Sequence, residues 1–349
     1  MLRRQFLGCG LSLLAASCFN RLLAAGVSTR AIDIVTESNV IDMLGLLTLN
    51  WTLLARWQND PERFGEADFK KLQSSGIDVF HPAVAFEDAH PYEVTRDWFV
   101  KWNRLIDQHP QWFLRVDCAA DLTRAKRENK IGIIMGMQDA NHLRSLDDLD
   151  AFYAMGQRLT QVTYNAHNRL GAGCLVESDR GLTKFGQDVI AKMNALGMAV
   201  DVSHCGEKTT LDTFAASTKP VLITHSNCKA LAHVPRCKTD EAILAAAKKG
   251  GVIGLTGVRN FVKVGSPVTI EDALDHFDHA VKIAGIDHVG LGSDFDLDGR
   301  GPKADIAGLS RADRVFGLTD GLIRRGYTDQ DIALLLGGNF ERALGTIWG

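Results

Sequence analysis

Residues 199–226 read AVDVSHCGEKTTLDTFAASTKPVLITHS, in which two short runs rich in β-branched residues, Ala199 to His204 and Val221 to Ser226, each carry a hydroxyl residue followed by histidine near their C-terminal end. Runs of this length and composition read as buried parallel strands, and the chain between them is long enough for a helical return to the same sheet. Six further runs share the pattern: VIDMLGL (40–46), DVFHPAV (78–84), IGIIMGM (131–137), LTQVTYN (159–165), GVIGLTG (251–257) and HVGLGSD (288–294). Between them, Phe185 to Leu196, Glu241 to Lys249 and Ile270 to Ala284 space their apolar residues by three and four, as amphipathic helices do. Eight strand-helix units with no Pro/Gly/Ser-rich linker and no shift in composition predict an α/β fold, one closed (β/α)8 barrel of the TIM type over residues 26–349, in preference to two doubly wound halves. Asn50 to Ala89 reads as a long first loop with a helix, and Leu334 to Leu344 as a closing helix.

Composition agrees with a folded domain. Of the 349 residues, 46% are AVILMFWYC, enough to bury a sizeable core, and 39 basic residues against 42 acidic ones leave a net charge of -3. That balance lacks the positive excess on which nucleic-acid affinity draws, so nucleic acid is not an expected partner. After the first two dozen residues no apolar run approaches the roughly 18 needed to span a bilayer.

The N-terminus, MLRRQFLGCGLSLLAASCFNRLLAAG, places Arg3-Arg4 before an apolar stretch from Phe6 to Phe19 and small residues at Ala24-Ala25. This is the layout of an export signal over residues 1–25, and Arg3-Arg4-Gln5-Phe6-Leu7 resembles the twin-arginine type. The expected location is periplasmic or secreted; a retained membrane anchor is the rival reading, against which Asn20 and Arg21 interrupt the apolar run. Cys118, Cys174, Cys205, Cys228 and Cys237 remain after the signal, an odd number without a CxxC spacing, so neither a zinc ribbon nor a redox dithiol is indicated.

In a barrel of this kind the chemistry gathers where the strands end. Gln138, Tyr164, His204, His225 and Asp294 stand at or just past strand ends, with His81 near the end of the second. His204 and His225 come from consecutive strands, which lie about 5 Å apart, and two neutral imidazoles at that spacing suit one divalent metal. Asp294 would bind the metal or accept a proton, unless it only caps the following turn. Arg236 would pair with a substrate carboxylate, or else form a surface salt bridge. Tyr164 would donate to a developing oxyanion, or else pack at the rim.

At this point the residues resemble the renal (membrane) dipeptidases of the amidohydrolase superfamily, from about Val40 to the C-terminus. The resemblance rests on VTYNAHNRLGAGC, GLTKFGQDVIAKMNALGMAVDVSHCGEKT, KPVLITHSNCKALAHVPRCKTDE, GGVIGLTG and HVGLGSDFD, in that order. It implies a (β/α)8 barrel with a two-zinc site that cleaves short dipeptides, with the second metal's histidines at His204 and His225, the catalytic aspartate at Asp294 and the substrate-carboxylate arginine at Arg236. Tyr164 stands where many members have a substrate-polarising histidine. Relatives often form dimers, so a homodimer is compatible with the resemblance.

The pattern breaks at three positions. The family's first strand ends Asp-Gly-His-x-Asp, whereas Asp42-Met43-Leu44-Gly45-Leu46 puts leucine at both ligand places, and Gln138 replaces the glutamate that bridges the metals. The expectation is therefore one zinc per chain on His204 and His225, with Gln138 as a weak oxygen donor and Asp294, His81 or Asp139 as further help. Met43, Leu44 and Leu46 would leave the first-metal pocket apolar. Two functions follow: a reduced-site, metal-dependent hydrolase of a dipeptide or similar small amide, or an exported barrel that binds a peptide-like metabolite without cleaving it.

Overall fold

The computed structural model describes residues 13–298, 306–309 and 312–349. Its strands are β1 (Ile41–Asp42), β2 (Val79–Phe80), β3 (Phe113–Arg115), β4 (Ile131–Ile133), β5 (Met135–Met137), β6 (Gln157–Gln161), β7 (Ala199–Asp201), β8 (Val221–Ser226), β9 (Ile253–Leu255) and β10 (Val289–Leu291). All their pairings are parallel, in the orders β1-β2-β4-β3 and β10-β9-β8-β7-β6-β5. Two joints turn these sheets into one ring. β4 and β5 are a single extended run interrupted at Ile134, and β10 meets β1 through Met43 N–H to Leu291 O (3.0 Å), Asp294 N–H to Leu44 O (2.8 Å) and the Gly45–Phe295 bridge.

The eight expected strands form this barrel, and the structure adds one. β3, three residues long, pairs with Ile131–Ile133 outside the eightfold alternation. Arg115 and Asp117 break its apolar run, so its sequence lacks the longer apolar stretch that marks the other strands. The predicted helices occur as Lys184–Leu196, Asp240–Lys248 and Ile270–Ala284. The first shows why its ends fall where they do: the Thr183 hydroxyl accepts from Gly186 N–H, and Gly197 closes it in the left-handed region at φ 71°. The first loop, in contrast, holds two helices, Trp51–Asn59 and Glu66–Gln73.

Inward residues of the strands, among them Ile41, Met43, Val79, Leu159, Ala199 and Leu222, form one apolar cluster with Phe340, Leu344 and Ile347 of the terminal helix Asn339–Trp348. That helix covers the end of the ring where the strands begin, since Lys219, just before β8, donates its ammonium to Ile347 O. The opposite end, where the strands finish, is left for the site.

The first twelve residues of the expected export signal lie outside the described residues. Its later part is the helix Leu13–Ala24, in which Leu22 is buried and Arg21 pairs with Asp313 at 2.6 Å. Among the described residues no helix is long and apolar enough to cross a membrane, and Cys118, Cys174, Cys205, Cys228 and Cys237 are all free thiols.

Candidate metal centre

Asp201, the last residue of β7, organises the site from below. Its buried carboxylate accepts from Ser203 N–H (2.9 Å), Ser203 Oγ–H (2.6 Å), Thr224 N–H (3.0 Å) and Thr224 Oγ1–H (2.7 Å), tying the ends of β7 and β8 together. A threonine hydroxyl has one proton. With that proton given to Asp201, Thr224 Oγ1 is an acceptor toward His225 Nδ1, 2.9 Å away, so His225 carries its proton on Nδ1 and bares Nε2. His204 is set the same way, its Nδ1–H donating to Asn165 Oδ1 at 2.8 Å.

The two bare Nε2 atoms lie 3.0 Å apart. Two lone pairs facing one another at this distance repel, and only a shared cation relieves them. Burial, reinforced by the nearby Arg236 guanidinium, holds both imidazoles well below the usual histidine range, so a proton is a poor candidate for that cation. A zinc ion bonds nitrogen at about 2.0–2.1 Å, so one ion can reach both atoms, and the fixed Nδ1 donors are the outer support that metal-bound histidines ordinarily have. The pair therefore fits one metal. Among the described residues, however, no three His, Cys, Asp or Glu side chains converge closely enough to hold an ion, so the set His204, His225 and Asp294 is not assembled there.

The other anticipated residues take distinct positions. Asp294 follows β10 in the left-handed region, φ 54°, a conformation that Asp tolerates better than most non-glycine residues and that turns the chain sharply at the barrel mouth. Tyr164 stacks on His204, ring centroids 4.2 Å apart. Gln138 is buried and turns its amide nitrogen back to Ala83 O (2.8 Å), while its backbone carbonyl accepts from the Gln161 side-chain amide. His81 donates Nδ1–H to Met43 O (2.7 Å), leaving Nε2 buried without a partner against Gly136, where a Cβ would lie 2.2 Å from it. Asp139 accepts from Asn168 (2.7 Å) and Asn141 (2.8 Å), and burial raises its pKa to about 6.

Arg236 is not at the surface. It is 4% exposed, and its two terminal nitrogens donate to Ser203 O (2.6 Å) and His225 O (2.7 Å), bracing the histidine-bearing strand ends; Nε is its remaining buried donor.

The first-strand positions carry no ligands. Leu44 and Leu46 are buried, and Asp42 faces away from any metal place: it accepts from Ser293 N–H (2.8 Å) and Oγ–H (2.5 Å) and pairs with Arg314 at 3.0 Å. Sequence reasoning missed Asp201, Thr224, Asn165 and Arg314. The signal for Asp201 was present, since a carboxylate inside a β-branched strand must find several donors once buried; nothing local marks Arg314 as its counterpart on the other side of the ring.

A parallel eight-stranded barrel with an imidazole pair at the C-terminal mouth belongs to the metal-dependent hydrolase class of barrels. Residues 28–348 match the profile of the membrane dipeptidase family (peptidase family M19), and the chain belongs to that family of metallopeptidases. It is 34% identical over 279 residues to an uncharacterized dipeptidase of Schizosaccharomyces pombe, covering 76% of this chain and 66% of that relative's length. It is also 34% identical over 242 residues to an uncharacterized protein encoded in the pqqA 5' region of Klebsiella pneumoniae, covering 66% of this chain and 87% of the relative. Among solved structures, an amidohydrolase from Pseudomonas aeruginosa superposes with a TM-score of 0.81 at 27% identity, covering 91% of this chain and 99% of the other.

Proposed function

We propose that the protein is a hydrolase of a dipeptide or similar small amide that works at a reduced site for one divalent metal, and that it is exported through its twin-arginine-type N-terminus to the periplasm. The observation that carries this reading is the pair of Nε2 atoms 3.0 Å apart, both bared by fixed Nδ1 donors. Leu44 and Leu46 do not fit a second metal, because neither can donate an electron pair. A metal held by His204 and His225 would supply Lewis acidity and make water more acidic. The protein's own part is then proton transfer and orientation. Asp294, at the mouth, takes the proton of the attacking water and returns it to the leaving amine. Tyr164, fixed by its stack on His204, presents its hydroxyl to the developing oxyanion, and Arg236 offers Nε to the substrate's terminal carboxylate.

The want of a third converging metal-binding side chain among the described residues favours a second reading, an exported barrel that binds a peptide-like metabolite without cleaving it. Metal analysis of the purified protein, paired with a dipeptide panel, separates the two. The hydrolase reading expects about one zinc per chain, lost with His204→Ala and His225→Ala together, and a fall in kcat/KM of about 10³-fold or more, about 4 kcal/mol of transition-state stabilisation. Protein that takes up no zinc and turns over no dipeptide establishes the second.

A further inference from the structure

Behind His204, on its Nδ1 side, lies a cavity of about 320 Å³ that the imidazole pair does not line. Its size is at the lower end of the roughly 300–1,000 Å³ typical of small-molecule sites. The basic groups on its wall come from the loop after β8, as Lys229, His233 and Lys238, and the acidic groups from the segments after β6 and β7, as Glu177, Asp179 and Glu207. Val176, Val234 and Pro235 add apolar surface.

Lys238 is the unusual member. It is 2% exposed, and its ammonium donates to Cys205 O (2.8 Å) and Thr210 Oγ1 (2.9 Å), both neutral, with no ion pair among the described residues. A buried cation is costly unless counter-charge reaches it; the nearby Glu207 carboxylate supplies part of that charge but no direct ion pair, and burial lowers the lysine's pKa. The backbone hydrogen bond from Lys229 N–H to Lys238 O (2.8 Å) keeps the two lysines on neighbouring residues of the same wall. Asp179 is already engaged by Thr209 N–H (2.9 Å), Thr209 Oγ1–H (2.7 Å) and Gly181 N–H (2.8 Å), and Glu207 by the hydroxyl of Thr239, the residue next to Lys238. Glu177 is exposed, with no ion pair among the described residues.

From a wall that carries both lysines and carboxylates beside apolar surface, with Lys238 held without a direct ion pair among the described residues, we infer that the cavity is a binding site for a free amino acid with an aliphatic side chain. Lys238 and Lys229 take its carboxylate, Glu177 and Glu207 face its ammonium, and Val176 and Val234 receive the side chain. A hydrolase of dipeptides releases such a molecule, but the site does not depend on that activity. Its wall adjoins the metal centre through Cys205, the residue after His204, and through Cys174, whose N–H donates to His204 O (2.7 Å) and whose Sγ–H donates to Asn165 Oδ1 (3.6 Å), the same oxygen that orients His204.

The test is calorimetric titration of the full chain with L-leucine, N-acetyl-L-leucine and L-leucinamide. Recognition of both charged ends predicts that L-leucine binds and that each derivative binds at least tenfold more weakly; no L-leucine binding at millimolar concentration, or equal binding of all three, overturns the proposal without any variant. Lys238→Met is expected to weaken L-leucine at least tenfold while His225→Ala leaves it unchanged. The reverse pattern places leucine between the imidazoles and refutes a separate site, whereas absence of dipeptide turnover by the unsubstituted chain, with its leucine binding intact, refutes only the hydrolase reading.

Discussion

Two seams of the barrel are built with the same device and end in opposite chemistry. Between β7 and β8, Asp201 receives a serine N–H and hydroxyl and hands the arrangement on, through Thr224, to His225 and its partner His204. Between β10 and β1, Asp42 receives the N–H and hydroxyl of Ser293, but there its charge meets the guanidinium of Arg314 and no imidazole, and Leu44 and Leu46 nearby are apolar. A buried aspartate at a strand end can thus either orient a ligand or close a ring. Which it does depends on whether its charge is spread over hydroxyl donors that lead onward or is neutralised by a buried cation.

The strongest way to break this comparison is at the closed seam. Asp42→Asn removes the buried carboxylate charge that pairs with Arg314, and removing one member of a buried pair typically costs about 3–5 kcal/mol. Urea unfolding should show that loss while zinc content stays at the wild-type level. Loss of zinc without loss of stability would mean that Asp42 serves the metal side.

A second effect, on the order of 3 kcal/mol, concerns the strand end between the two seams. Burial lifts Asp139 from its ordinary 3.8 to about 6, so between these values the folded protein binds a proton that the unfolded chain has released. Stability contributed by this group is accordingly greatest below about pH 4 and falls as pH rises through 6. His142, pushed down to about 4 by burial, acts in the opposite direction, losing stability as pH falls from its ordinary 6.5. The difference in urea stability between wild type and Asp139→Asn at pH 4, 5 and 6 isolates the aspartate: the variant should lose the downward slope, and parallel curves would refute the assignment.

The smallest effect sharpens the open seam. Thr224→Val keeps shape but removes the acceptor that fixes the His225 proton on Nδ1. Zinc affinity, measured by competition with a chelator, should fall about 10- to 100-fold, as for other outer partners of metal-bound histidine. Unchanged affinity would show that the tautomer is set elsewhere.

The positions that carry the fold were legible because a parallel barrel repeats one short-range signal. Val, Ile and Leu runs such as VLITHS need only their own composition to be read as strands, and the spacing within Ile270–Ala284 needs only one turn of helix to be read as amphipathic. β3 was not legible, since Arg115 and Asp117 interrupt the apolar run that made the other strands readable. The histidine pair was legible for the same local reason, each imidazole sitting one residue after a hydroxyl near the end of its strand.

Charge assignments were another matter. Arg236, in the loop after His225, reads from sequence either as a substrate-carboxylate partner or as a surface salt bridge; it is buried and braces the histidine-bearing strand ends, and Lys238, two residues on, lines a cavity on the other side of His204. Sequence by itself determined the alternation of strand and helix, the family, the replaced first-metal ligands and the residues brought to the mouth, because each depends on residue type and spacing along the chain. Only the tertiary structure decided which donors Asp201 and Asp42 collect, how Arg314 reaches across 272 residues to one of them, and which nitrogen of each histidine is bare. Those facts are pairings between distant parts of the chain, and a buried charge or hydrogen bond acquires its meaning from a partner that no local pattern names.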